Sequence, residues 1–381
     1  MKLNDILSPY KYFSLSTEND NQGIIDFFKT ISMDTKSFSI RYDRGDDFFK
    51  FAKEQSKKNF IFIMKDEKGI IRGTAAIATI PHIVNGEEKL LGYLGDLRIS
   101  PLLSPKIRLT WKKCYSDIIS KFKEIEEFQG IDFLYSAILD ENQNAMRSLL
   151  KNNDQIIYHE LTTYKTFNVF MKKPFALKLN NQFQLNRATA DEIRSFLAEQ
   201  ANLPGMQEHV KANGSDELNR RMETWDHFNF ESFIAIRNKN QKIVSLCAPH
   251  ICQSKKLIIE KMSPALKILG KLISILGLPP IKDGSPINVL YLTYLKFDPT
   301  LKQSDIADII NIYLNHLLTS RRDQFHMVSF FTFPEWKIEK LPFFYQITKG
   351  RFYQVMSKEE FDQEQFLKLN NQPPSFEIGI A

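Results

Sequence analysis

In "YLGDLRISPLLSPKIRL" (93–109), Tyr93, Asp96 and Arg98 place a phenol, a carboxylate and a guanidinium on what reads as an apolar strand. Alternate side chains of a strand share a face, so Asp96 and Arg98 point one way and Leu97 the other. Such a pair has two uses. It is a buried ion pair, or it faces a substrate and the carboxylate takes up a proton. The strand then runs towards a helix start carrying Ser104, Lys106 and Arg108. Unpaired N–H groups at a helix start suit a phosphate, and the two cations add charge there. They serve equally well as solvated helix-start residues.

The remaining chemistry-bearing cluster is "CAPHIC" (247–252), which brings together Cys247, His250 and Cys252. A structural zinc site wants four ligands and no fourth lies nearby, so buried thiols are the better reading. Three cysteines (Cys114 is the third) are too few and too odd in number for a disulfide framework. That points to a reducing compartment.

Two cores are expected from 381 residues, of which 43% are hydrophobic and 25% charged. The 51 Lys+Arg are interspersed among 45 Asp+Glu without a basic run, which argues against a nucleic-acid groove. No stretch reaches the roughly 18 apolar residues of a membrane span, and the N-terminus has no apolar run of signal-peptide length. A soluble cytoplasmic protein is expected. "SPALKILGKLISILGLPP" (263–280) reads as a short, mostly apolar helix with Lys267 and Lys271 on a narrow polar face.

The elements that position these residues occur twice in one order. "FSLSTENDNQGIIDFFKTI" (13–31) is strand, turn and amphipathic helix, and "FQLNRATADEIRSFLAEQA" (183–201) repeats it, with Thr189 and Glu192 spaced as a capping box. A hairpin follows in each half, turning at Asp66–Gly69 and at Asn238–Gln241. Then come a third strand (90–100; 288–298), a helix (108–128; 303–323), another strand (133–139; 327–333) and a closing strand around 161–170 and 350–356. An internal duplication accounts for this most economically.

The residues also resemble a known family. "GYLGDLRISP", followed by a helix and "YSAILDENQNAMRSLL", is similar to motifs A and B of the GCN5-related N-acetyltransferase (GNAT) superfamily, and "LNRATADEIRSFL" resembles the opening of a second GNAT domain. The resemblance covers nearly the whole chain. It implies an α+β fold of two tandem GNAT-like domains, each a mixed, mostly antiparallel sheet flanked by helices. Their bounds are 1–172 (motif A 93–109, motif B 133–150) and 183–381, joined by a linker at 173–182. It also implies acyl transfer from acetyl-CoA to an amine in the first domain. A catalytically inactive acyl-CoA-binding or interaction module stays open beside it.

The family's central strand ends L-x-V-x-P-x-x-R-G-x-G. Leu97, Ile99 and Pro101 fall on the first three marks, but the arginine falls on Ser104 and the glycines on Pro105 and Ile107. By resemblance, the Leu97–Ile99 backbone polarises the thioester carbonyl. Ser104, Lys106, Ile107 and Arg108, with Asn142 of motif B, lie at the cofactor, and Asp96, with Tyr93 and Arg98, is at the catalytic position. The family's thiol-protonating tyrosine falls on Leu149, leaving Tyr93, Tyr135, Tyr158 and Tyr164 as alternatives. In the second half the phosphate-loop positions fall on Lys302, Gln303 and Asp305. Asp305 would repel a pyrophosphate, so the first half is the expected site.

Overall fold

The computed structural model describes residues 1–34, 38–150, 155–173, 180–208, 216–262, 282–321, 323–338, 340–369 and 376–377. The helix read at 263–280 and most of the linker at 173–182 lie outside them. The first half runs β1 (Phe13–Leu15), helix Asn21–Lys29, β2 (Met33–Asp34), β3 (Phe38–Asp43), helix Phe48–Gln55, β4 (Lys58–Lys65), β5 (Ile71–Val84) and β6 (Glu87–Ile99). It continues through helix Pro105–Ser120, β7 (Ile131–Leu139), helix Gln143–Leu150 and β8 (Ile156–Lys172). The second half runs β9 (Gln184–Asn186), helix Ala190–Ala201, β10 (Met206–Glu208), helix Asp216–Thr224, β11 (Ile234–Arg237), β12 (Ile243–His250), β13 (Lys256–Met262) and β14 (Pro286–Ile287). It ends with β15 (Val289–Phe297), helix Gln303–Ser320, β16 (Met327–Thr332) and β17 (Phe343–Ser357).

The strand order is β1-β4-β5-β6-β7-β17-β8-β16-β15-β12-β11-β9, with β10 on β5. Read from either end it is the same sequence of equivalent strands, because β1 matches β9, β4 matches β11, β5 matches β12, β6 matches β15, β7 matches β16 and β8 matches β17. The closing strands are exchanged: β17 lies between β7 and β8 of the first half, and β8 lies on β16 of the second. Thus the two sheets expected from the repeated order are joined into one. Only β6 with β7 and β15 with β16 run parallel among the described main-sheet pairs. A smaller sheet, β14-β13-β3-β2, ties the halves again by pairing β3 with β13.

Local chemistry explains the elements. Thr189 accepts from the Glu192 N–H and Glu192 accepts from the Thr189 N–H, so the capping box forms as read. Helix Pro105–Ser120 starts three residues before the expected 108, since Ser104 caps it and Pro105 needs no N–H partner in the first turn. Helix Gln303–Ser320 buries Ile306, Ile309, Ile310, Tyr313, Leu314 and Leu317, the spacing of one helix face. Three described clusters matter here: one under each of those long helices, and one between the halves that contains both Tyr93 and Tyr294.

Candidate functional site

Strand β6 pairs with β7 only from Leu90 to Tyr93 and then diverges. Gly92 permits the close approach just before this opening: a Cβ there would lie 2.5 Å from Leu134 Cδ2. Immediately beyond, β6 carries one residue more than β5 between the pairs Ala76–Gly95 and Thr74–Arg98. That bulge falls at Asp96, whose φ is +48°. Aspartate tolerates the left-handed region better than most residues. The Thr74 hydroxyl holds the Asp96 carbonyl at 3.0 Å, and the Ser136 hydroxyl holds the Leu94 carbonyl at 2.9 Å across the opening.

The second half repeats the device. Strand β15 bulges between Lys296 and Thr293 against β12, Tyr294 takes φ +51°, and pairing to β16 ends at Tyr291. There the Tyr294 N–H donates to the buried Glu377 carboxylate at 2.9 Å. The Glu377 carboxylate therefore occupies the bulge N–H of the second half.

On one face of the first-half bulge lies a small, partly open apolar pocket. Its walls include Ala75, Ala76, Gly95, Leu97, Trp111 and Leu149, together with Tyr115 and Tyr158. The two tyrosine hydroxyls bond to each other at 2.6 Å. Burial pushes both phenols well above the ordinary tyrosine range, so both stay protonated. Tyr158 thus lines the same pocket as Leu149. Tyr93 lies elsewhere, packed on Tyr135 in the cluster between the halves, its phenol likewise raised by burial.

Asp96 belongs to a charged cluster. Both its oxygens accept from Arg44 Nη2, at 2.7 and 2.6 Å, and Arg98 Nε stands at 3.9 Å. The arginine that sequence alternation offers is the weaker partner; the stronger comes from the loop after β3. Burial raises the carboxyl pKa, but Arg44, Arg98 and Lys255 outweigh burial and hold it below the usual carboxylate range. A carboxylate gripped in this way is a poor proton acceptor and a good anchor for the bulge.

The phosphate-loop residues are largely engaged with their own loop. The Ser104 hydroxyl accepts from the Ile107 N–H and donates to Glu67. Ile107 is buried in the core. Arg108 turns back and donates to the carbonyls of Leu103 (2.8 Å) and Pro101 (2.7 Å). Lys106 is exposed. Asn142 accepts from the Ala145 N–H at 3.1 Å and so caps helix Gln143–Leu150. Leu97 lines the pocket, while Ile99 packs with the core beneath helix Pro105–Ser120.

"CAPHIC" is divided by its strand. Cys247 lies in the second-half core, His250 stacks on Trp225, and Cys252 faces Glu54 and Ser254. No metal-holding group occurs among the described residues. Sequence reasoning missed Arg44, Lys255, Tyr115 and Glu377. Only Tyr115 had a local signal, lying four residues after Trp111 and three before Ile118 on the inner face of its helix.

No protein-family model matches the sequence, and no curated protein matches it. Solved structures do. Saccharomyces cerevisiae N-myristoyltransferase with bound myristoyl-CoA aligns over 91% of this chain and 83% of its own, with a TM-score of 0.52 and 11% identity. The same enzyme with myristoyl-CoA and inhibitors aligns over 93% and 83%, with a TM-score of 0.55 and 10% identity. A GCN5-related glucosamine N-acetyltransferase region of a fungal multi-domain GH3 β-N-acetylglucosaminidase aligns over 90% of this chain and 38% of that one, with a TM-score of 0.52 and 12% identity. The chain has a GNAT-like fold.

Proposed function

We propose that the chain is an acyl-CoA-dependent N-acyltransferase acting at the bulge of its first half, with acetyl-CoA as donor and an amine as acceptor. The observation that carries this reading is an opened, bulged strand with an apolar pocket beside it in the first half, while in the second half the bulge itself is engaged, the N–H of Tyr294 (in the place of Asp96) being taken by Glu377.

The donor lies along the opening between β6 and β7, its phosphates towards Ser104–Arg108 and its acyl group in the pocket. Lys106 is the cation placed to meet the phosphates. The thioester oxygen accepts from backbone N–H in Leu97–Ile99, where negative charge develops as the amine attacks the carbonyl carbon. Collapse breaks the C–S bond. Tyr158, linked to Tyr115, supplies the proton to the departing thiolate, and the amine's proton leaves to water in the cleft. Asp96 acts here as the bulge anchor, with Arg98 beside it.

Among the described residues no helix is long and apolar enough to cross a membrane. The three cysteines are free and buried, which suits the reducing cytoplasm to which we assign the chain.

Acetyl-CoA at about 100 times its dissociation constant should add about 2.7 kcal/mol of stability, read as a thermal shift. The absence of any shift at millimolar acetyl-CoA would favour an interaction module that keeps the fold, the reading to which the folded-back Arg108 lends weight. Tyr158→Phe should lower turnover by about 10²-fold or more and leave acetyl-CoA affinity unchanged. An equal deficit with an acyl donor whose leaving group needs no proton would remove Tyr158 from the proton path.

A further inference from the structure

We infer that Arg98, stacked on Tyr42 beside the first-half bulge, is a binding site for a carboxylate carried by the acceptor. The assignment to the acceptor rests on the acyl-transfer reading above; the anion site itself does not.

Among the described residues the charges around Asp96 do not match. Asp96 faces two guanidiniums, and Arg44 takes both of its oxygens. The Arg44 side chain is 0% exposed and sits among aromatic rings, its guanidinium carbon 4.1 Å from the Phe51 centroid. Its remaining donors, Nε and Nη1, have no hydrogen-bond partner, so its charge is answered by Asp96 and by ring faces. Arg98 is left over. Its Nε, also buried, has no hydrogen-bond partner, and at 3.9 Å from Asp96 it is beyond hydrogen-bond reach.

The geometry then selects the ligand. The Arg98 guanidinium lies 4.5 Å from the Tyr42 centroid and 5.2 Å from that of Phe28. A guanidinium held over aromatic rings and without a hydrogen-bonded carboxylate of its own offers planar, two-point recognition, which a carboxylate matches. Lys255, 5.4 Å from the same Tyr42 ring, adds positive potential. The side chains of Arg98 and Asp96 are 16% and 17% exposed, so the cluster is not sealed from solvent. It lies beside the strand segment where the amine must arrive, and the donor's phosphates are assigned to the loop beyond that segment. An amine bearing a nearby carboxylate, as in an amino acid, fits both requirements.

Thermal shift on the full chain at constant ionic strength, with and without acetyl-CoA, tests this with a set of α-amino acids, their amides, acetate and inorganic phosphate. The expected result is a saturable shift with the acids, each at least about tenfold tighter than its amide. Arg98→Met should abolish that preference and Arg98→Lys should keep part of it. If Arg98→Met does not fold, Tyr42→Leu, which removes the stacking ring, makes the same comparison. Equal response to acid and amide, a preference that survives in Arg98→Met, stronger binding of phosphate, or no saturable shift with any carboxylate overturns the inference. An acetyl-CoA shift without the carboxylate preference sinks this inference alone. The preference without an acetyl-CoA shift sinks the acyl-transfer reading and leaves the anion site standing.

Discussion

Asp96→Asn should lose about 3–5 kcal/mol of folding stability, the range for stranding one member of a buried ion pair. The substitution keeps shape and tolerates the left-handed backbone at position 96, so strain is not the cause. The loss comes from Arg44, whose buried side chain would then face no carboxylate. Urea denaturation of the parent and the variant measures it. Replacing both partners, Arg44→Met with Asp96→Asn, should recover part of the loss, because the fully buried Arg44 charge is then gone while Arg98 and Lys255 still lack the carboxylate. The pH dependence has a definite sign. Burial raises the Asp96 carboxyl pKa, but the surrounding cations lower it by more. The pair's contribution is therefore complete above the unfolded carboxyl value of about 3.9 and is lost as pH falls through the lower folded value. Parent and variant should converge in acid. A variant that keeps the parent's midpoint while its turnover falls by about 10²–10⁴-fold would instead make Asp96 the proton acceptor.

Much of the fold was legible because both halves use local signals. Period-2 strands, turns at Asp66–Gly69 and Asn238–Gln241, and the Thr189–Glu192 box all depend on residues within a few positions of each other. The bulges were half legible: "LGDLRISP" and "LTYLKFDP" align, but nothing in either says which residue takes positive φ. The Asp96–Arg44 pair spans 52 residues and joins a strand to a loop of no marked periodicity, so no local rule could find it. Glu377 reaches Tyr294 across 83 residues, for the same reason unseen. Leu149 shows the opposite case. Sequence registered the missing phenol, and only the packing of β8 against helix Pro105–Ser120 brings Tyr158 into the same pocket.

The exchanged strands lead to the second large effect: residues 1–172 and 173–381, expressed separately, should each fail to fold as a monomer and should assemble when co-expressed. Without β17, the first fragment keeps β7 and β8 with a one-strand gap between them. From Phe343 to Ser357 that strand pairs along β8, and from Gly350 to Val355 it also pairs with β7. Gly350 packs so closely under Tyr164 that an added Cβ would lie 2.4 Å from the ring, so another strand would not substitute easily. The second fragment in turn lacks β8, which covers β16 from Thr332 to Val328. Two unpaired inner edges with buried apolar neighbours favour aggregation over an open monomer. Each half therefore supplies the strand that completes the other, and a cut between them removes a central strand from both. Size-exclusion chromatography and circular dichroism of each fragment, alone and together, decide the matter. Two soluble monomers that unfold cooperatively on their own would make 172 and 183 true domain boundaries. A complex that forms only on co-expression would make the strand exchange the condition for folding either half.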